Sequence, residues 1–392
     1  MAHVGTCRLC SAPLAPDTAL AVGDVPPCNR FSDGPDAPRL PLAMVECAQC
    51  QLVQLLQLPP LDALVPRHAW IRYNEPSAHL PDVAQHVRAL MPDAPGVLGL
   101  GPFEGPLLQH MTEWGGARHT PDLAAQSAAQ PGRYPYLETW QHVLRHDVLA
   151  SCGKADLVTC RYLLEHSHDP VAMLQALAGA LKPGGVLLVE VPDSSKFLTV
   201  CDYSFIWEEH VCYFTEATLR ALAARAGLAV RQCLRYPGTQ EDALVLLLQA
   251  GAPGQAAPSG LGPSALFARY RAAWPGQRTH YQQWLGDMHA QGRRVAIFGA
   301  GHQAIMFIHA LGLAQLVDIV LDDAPDKAGC RIPGTAIPIV PSSVLQAQDD
   351  IGLCLLALSA GAQQSVRARF DGWLQQGGVM QSIYPEPGHA VD

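Results

Sequence analysis

Cys7-x-x-Cys10 and Cys47-x-x-Cys50 place four thiols in two matched turns near the N-terminus. Each CxxC pair can aim two thiolates at one ion, and two pairs complete the tetrahedron that zinc prefers. Four thiolates leave no open coordination position, so the expected zinc is structural rather than catalytic. Cys28 lies between the pairs without ligand spacing and reads as a core thiol. Glu165-His166-Ser167-His168-Asp169 raises the metal question again, but it lacks the i, i+4 spacing of a helical zinc pair. Toward the C-terminus, Gly299-Ala300-Gly301-His302-Gln303-Ala304 follows an apolar run, and Asp322 stands about 20 residues on. By spacing this is a dinucleotide fingerprint, with backbone N–H groups at a helix start for a diphosphate and Asp322 for ribose hydroxyls.

The rest of the composition narrows the setting. A chain of 392 residues suggests two or three domains, and 49% hydrophobic residues mark it as folded. Charged residues make up only 16%, against about 25% in an average soluble chain. A formal charge of −9 argues against a dedicated nucleic-acid binder. No run is apolar enough to span a membrane, and the N-terminus lacks a basic region followed by an apolar stretch. Twelve cysteines without an export signal are not a disulfide framework, which fits a cytoplasmic protein.

Elements that would position the chemistry follow from the apolar pattern. Val97-Leu98-Gly99-Leu100-Gly101-Pro102-Phe103-Glu104-Gly105-Pro106-Leu107-Leu108 reads as a short apolar strand running into a glycine-rich turn, after which an apolar-periodic helix begins. Lys154–Cys160 is a second buried strand, and Asp169–Leu181 a helix with Asp169 as cap and Pro170 at its first position. Lys182-Pro183-Gly184-Gly185 is a turn before the strand Val186–Val191, and Thr215 caps the next helix. Alternating strands and helices predict a doubly wound α/β sheet. The expected organisation is a zinc-binding module over 1–60, a sheet domain over 61–250, a Gly/Pro/Ala-rich linker over 251–263 and a second nucleotide-type domain over 264–392.

"LKPGGVLLVEVP" resembles the corresponding turn and strand of class I S-adenosylmethionine-dependent methyltransferases. The whole arrangement resembles the three-domain sugar C-methyltransferases, with their zinc module, central class I domain and C-terminal Rossmann-like domain. The sharpest match is Ile206-Trp207-Glu208-Glu209-His210-Val211-Cys212-Tyr213-Phe214; Trp70-Ile71-Arg72-Tyr73-Asn74-Glu75 is a second, and "GTAIPIVPSSVL" a third. The resemblance implies a keto sugar substrate, nucleotide-linked, and zinc and S-adenosylmethionine as cofactors. It implies His210 as the base that forms an enolate, Glu209 as its supporting carboxylate and Tyr73 as a hydroxyl donor. Gly99, Gly101, Glu104, Gly105, Thr120, Asp122, Glu165 and His166 fall on the cofactor side. Trp207, Tyr213, Gly299, Gly301, His302 and Asp322 fall on the substrate side.

Methylating carbon needs a carbanion equivalent, most easily an enolate beside a ketone, and a neutral-pH base to make it. Two positions depart from the family: Gly99 and Thr120 stand where carboxylates normally help bind the cofactor, leaving Glu104 or Asp122 to compensate. A second reading therefore stays open, in which His210 and Glu209 perform enolisation or epimerisation without a methyl donor. A non-catalytic binding or scaffold role is a third. For the C-terminal domain, nucleotide-sugar binding, a purely structural role and NAD binding all remain. The sequence leaves the oligomeric state open.

Overall fold

The computed structural model describes residues 5–32, 37–65, 68, 75–91, 96–111, 118–119, 149–251 and 260–385. Three sheets organise them. The central one is mixed, in the order Arg118–His119, Val97–Gly99, Ala155–Arg161, Leu181–Asp193, Asp242–Ala250, Leu228–Tyr236. Its first four strands are parallel, and Asp242–Ala250 runs antiparallel to both of its neighbours. Its last two strands in sequence form an antiparallel hairpin that closes one edge of the sheet, with parallel strands in the rest, as the doubly wound α/β expectation requires.

Local chemistry explains the boundaries. The Asp169 side chain accepts from Ala172 N–H and Pro170 opens the helix Pro170–Gly179. Thr215 and Thr218 cap Glu216–Arg225 reciprocally. The expected turn at Lys182–Gly185 is instead the irregular start of the long strand Leu181–Asp193. Gly184 takes a φ of +79°, which favours glycine, and a Cβ on Gly185 would lie 2.8 Å from the Asp156 carbonyl, so the first glycine serves conformation and the second close backbone packing.

A second sheet of five parallel strands, ordered Ile339–Val340, Ile319–Leu321, Arg294–Phe298, Ile351–Leu356, Val379–Ser382, lies in the C-terminal part. The third sheet is antiparallel: Leu20–Val25, Leu40–Glu46 and Val53–Leu55 from the N-terminal part, and Cys212–Tyr213 from far along the chain. One buried cluster runs through all of this, from Leu20 and Met44 through Ile206, Trp207 and Tyr213 to Ile297 and Ile305. The loop around residue 210 is thus fixed between the N-terminal sheet and the C-terminal part. Among the described residues, no helix is long and apolar enough to cross a membrane.

Candidate active site

A cavity of about 320 Å³ opens beyond the carboxyl ends of the central parallel strands, where open α/β sheets place ligands. Tyr162 and Glu165 reach it from beyond Ala155–Arg161, and Pro192 from the end of Leu181–Asp193. Trp207 and His210 enter from the 206–214 loop, Gln240 and Glu241 from the hairpin turn, and His302 and Gln303 from the helix His302–Leu311.

His210 sits in an aromatic box. Its ring lies 4.8 Å from the His166 ring at right angles and 4.7 Å from Trp207, and Trp207 stacks on His302 at 4.2 Å. Burial, with His166 and His302 as neighbours, pushes the His210 pKa well below its ordinary value. Burial also brings His166 and His302 down to about 4. All three imidazoles are neutral at physiological pH, so His210 is free to accept a proton.

The carboxylate on the working side of His210 is Glu165. Ligand atoms of Glu165, His166 and His210 lie within 4.8 Å of one another. Glu165 is 2% exposed, and among the described residues its Oε2 and His166 Nδ1 are buried without a hydrogen-bond partner. Burial pushes the Glu165 carboxyl well above the usual range. Glu209, expected to support His210, does not line the cavity; its Oε1 accepts from the Asn29 amide at 3.4 Å. Tyr213 is a brace rather than a cavity wall residue of the main chamber: its hydroxyl accepts from Trp207 N–H at 2.9 Å and donates to the Trp207 carbonyl at 3.0 Å.

Among the wall residues that were not singled out from the sequence are two acids, Glu75 and Glu241. Glu75 is pushed up to about 8 by burial and by Glu241 nearby; Glu241 is pushed up to about 7 by burial and Glu190. Glu241 sits in a polar hairpin turn, Gly238-Thr239-Gln240-Glu241, whose acid between two apolar strands was the available signal.

The glycine-rich turn after Val97–Gly99 lies beside this chamber but does not line it. A Cβ on Gly99 would meet Glu104 Cβ at 3.0 Å, and one on Gly101 would meet Leu163 at 2.8 Å. Those two glycines make room for the chain's own side chains. Gly105 is different: it is exposed on the helix Glu104–Gln109, with nothing within 4 Å of its Cβ direction. Glu104 occupies the space beneath the turn: Thr159 donates to it at 2.5 Å and Arg161 N–H at 2.8 Å. Burial raises its pKa to about 7, against the pull of Arg161. The Arg161 guanidinium goes on to pair with Glu190, which His79 contacts at 2.7 Å. Burial opposes ionisation of Glu190, but His79 and Arg161 together hold it below the usual range. A carboxyl group is therefore supplied under the turn from the helix, although Gly99 supplies none. Tyr73, Thr120 and Asp122 lie outside the described residues.

The four N-terminal cysteines come together as their spacing implied. Cys7 and Cys50 Sγ are 3.5 Å apart, as are those of Cys10 and Cys47, and all four lie within 4.8 Å of one another. Tetrahedral zinc with bonds of about 2.3 Å needs sulfurs roughly 3.8 Å apart, which these side chains can meet with small adjustments.

In the C-terminal part, Gly301 caps the helix His302–Leu311. Gly299 has a φ of +100°, and its Cβ would meet the Ala357 carbonyl at 2.8 Å. Asp322 is fully engaged: it accepts from Ala300 N–H and Ala324 N–H, both at 2.9 Å, and from Lys327 at 2.8 Å. Of the substrate-side residues expected here, His302 alone lines the cavity; Gly299, Gly301 and Asp322 do not.

A methyltransferase domain is matched over residues 77–233, and a C-methyltransferase C-terminal domain over 255–385. The two matches meet at the chamber, with Glu165 and His210 in the first and His302 in the second. C-methyltransferase NovU of Streptomyces niveus is 25% identical over 247 residues, 60% of this chain and 58% of NovU. A ubiquinone biosynthesis O-methyltransferase of Idiomarina loihiensis is 39% identical over 95 residues, 23% of this chain and 39% of that one. The chain thus spans little more than half of NovU and less of the O-methyltransferase. Among solved structures, the Burkholderia thailandensis 1,6-didemethyltoxoflavin-N1-methyltransferase superposes with a TM-score of 0.30 at 17% identity, over 45% of this chain and 79% of that one.

Proposed function

We propose that the protein is an S-adenosylmethionine-dependent C-methyltransferase acting on a small carbonyl compound, a keto sugar and most simply a nucleotide-linked one. The observation that carries this reading is the neutral His210 imidazole facing a chamber at the carboxyl ends of a methyltransferase sheet, between the two matched domains. His210 takes the proton from the carbon beside the ketone, and the protonated carboxyl groups of Glu165 and Glu75 are donors for the developing enolate oxygen. Tyr73 is a further donor by family resemblance. Trp207 and His302 form the flat apolar wall against which the sugar ring lies. S-adenosylmethionine, when bound, supplies the electrophilic methyl group. Gly105 and the carboxyl of Glu104 are assigned to its side of the site.

Zinc at Cys7, Cys10, Cys47 and Cys50 holds the N-terminal module together. The C-terminal sheet forms a Rossmann-like domain that carries the substrate's far end. Because Asp322 is already paired with Lys327, a dinucleotide ribose has no free acid there, which favours this over NAD binding.

Solvent deuterium exchange tests the base directly. With a 4-keto nucleotide sugar in deuterium oxide, the wild-type protein should exchange the hydrogen next to the ketone, and His210→Ala should not. Equal exchange by both would discard the assignment.

A further inference from the structure

We infer that the N-terminal four-cysteine module braces the active-site loop from behind as well as being a folding unit, with Cys28 and Asn29 as positioning residues for His210. This rests on the reading of His210 as the proton-removing group. Glu208 is 1% exposed and gives Oε1 to Cys28 N–H at 2.6 Å and Oε2 to the Cys28 thiol at 3.3 Å. The next residue pair repeats the grip: the Asn29 amide donates to the Leu64 carbonyl at 2.6 Å and to Glu209 at 3.4 Å.

Beyond His210 the module takes hold again. Leu55 N–H donates to the Val211 carbonyl at 3.0 Å, Val53 pairs with Tyr213, and Gln54 pairs with Cys212. The Val211 N–H points the other way and donates to the Glu165 carbonyl at 2.8 Å. His210 is therefore held before and after by one module, and its neighbour's peptide ties that module to the Glu165 turn. The connection reaches the thiol cluster, since Gln54 Nε2 contacts Cys7 Sγ at 3.2 Å while Gln54 Oε1 accepts from Arg8 at 2.8 Å.

Neither Cys28 nor Asn29 lines the cavity, so any effect they have on chemistry passes through the loop. Proton transfer from carbon depends steeply on placement, and a displacement of about 1 Å can cost a hundredfold in rate. Within the loop itself Tyr213 braces Trp207, but its two buried acids, Glu208 and Glu209, reach outward to Cys28 and Asn29 and take further stiffness from there. The module supplies it.

The test uses the full-length, zinc-loaded protein with isotopically labelled histidine, the His210 ring signal being identified by its loss in His210→Ala. Cys28→Ala and Asn29→Ala should each move the His210 signal and slow solvent deuterium exchange into a 4-keto nucleotide sugar by about tenfold to a hundredfold. Zinc content and S-adenosylhomocysteine affinity should stay within about twofold of wild type. Cys28→Ser, which keeps a donor for Glu208, should restore most of the loss. An unmoved His210 signal in both alanine variants, with the fold intact, overturns the proposal. So does a rate loss that comes only together with loss of zinc or of S-adenosylhomocysteine binding. If the wild-type protein shows no exchange at all, the functional reading fails, while the displacement of the ring signal still decides the role of the module.

Discussion

At the residue scale, the environment of His210 sets both its protonation and its limits. A base whose pKa lies well below the ordinary histidine value stays deprotonated into mildly acidic solution. The acid limb of kcat/KM should therefore fall below pH 6.5; a limb at or above pH 7 would contradict the burial of the ring. The chamber carboxyls act in the opposite sense on stability. Glu241, with a folded pKa of about 7, favours the native state most below its ordinary value near 4.5, and that contribution is lost as pH rises through 7. Glu241→Gln should raise Tm at pH 8.5 relative to wild type and change it little at pH 4.5, as thermal unfolding at the two pH values would show. The proposed base was legible in the "EEH" stretch, but the carboxyl group that lies beside it was not. The chain bends at Glu208–Glu209, so Glu209 turns with Glu208 toward Cys28 and Asn29, while Glu165, 45 positions earlier in sequence, arrives through the fold.

At the element scale, the strand–glycine–helix unit at 97–109 carries two kinds of glycine. Gly101 has a φ of +149° and no room for a Cβ beside Leu163, so Gly101→Ala should destabilise by about 1–3 kcal/mol in denaturant unfolding. Gly105→Ala meets no atom and should leave stability unchanged or slightly improved, while weakening S-adenosylhomocysteine binding in calorimetry. Loss of affinity in neither variant would remove the turn from the cofactor's side. Both glycines were visible in sequence, and their different reasons were not, because each depends on what packs opposite. The strands and capped helices at 155–225 were readable from apolar runs, Asp169 and Thr215. The antiparallel edge was not, since Ala243–Leu248 is apolar on both faces and says nothing of direction.

At the scale of the whole molecule, the N-terminal sheet, the 206–214 loop and the C-terminal part share one hydrophobic cluster. Two CxxC pairs announced the thiol cluster, yet nothing in the sequence announced that Cys212–Tyr213 would complete the module's sheet: two residues are too short for any periodicity. Replacing Cys47 and Cys50 by Ser should abolish a zinc content of about one per chain, lower Tm and loosen the 206–214 loop together, as metal analysis and unfolding would record. The proposed function requires cofactor and substrate to meet at the chamber that both matched regions line. Calorimetric titration of the intact protein with S-adenosylhomocysteine tests that most directly. Micromolar binding is the predicted result, and no heat of binding at millimolar ligand would contradict methyl transfer by this protein.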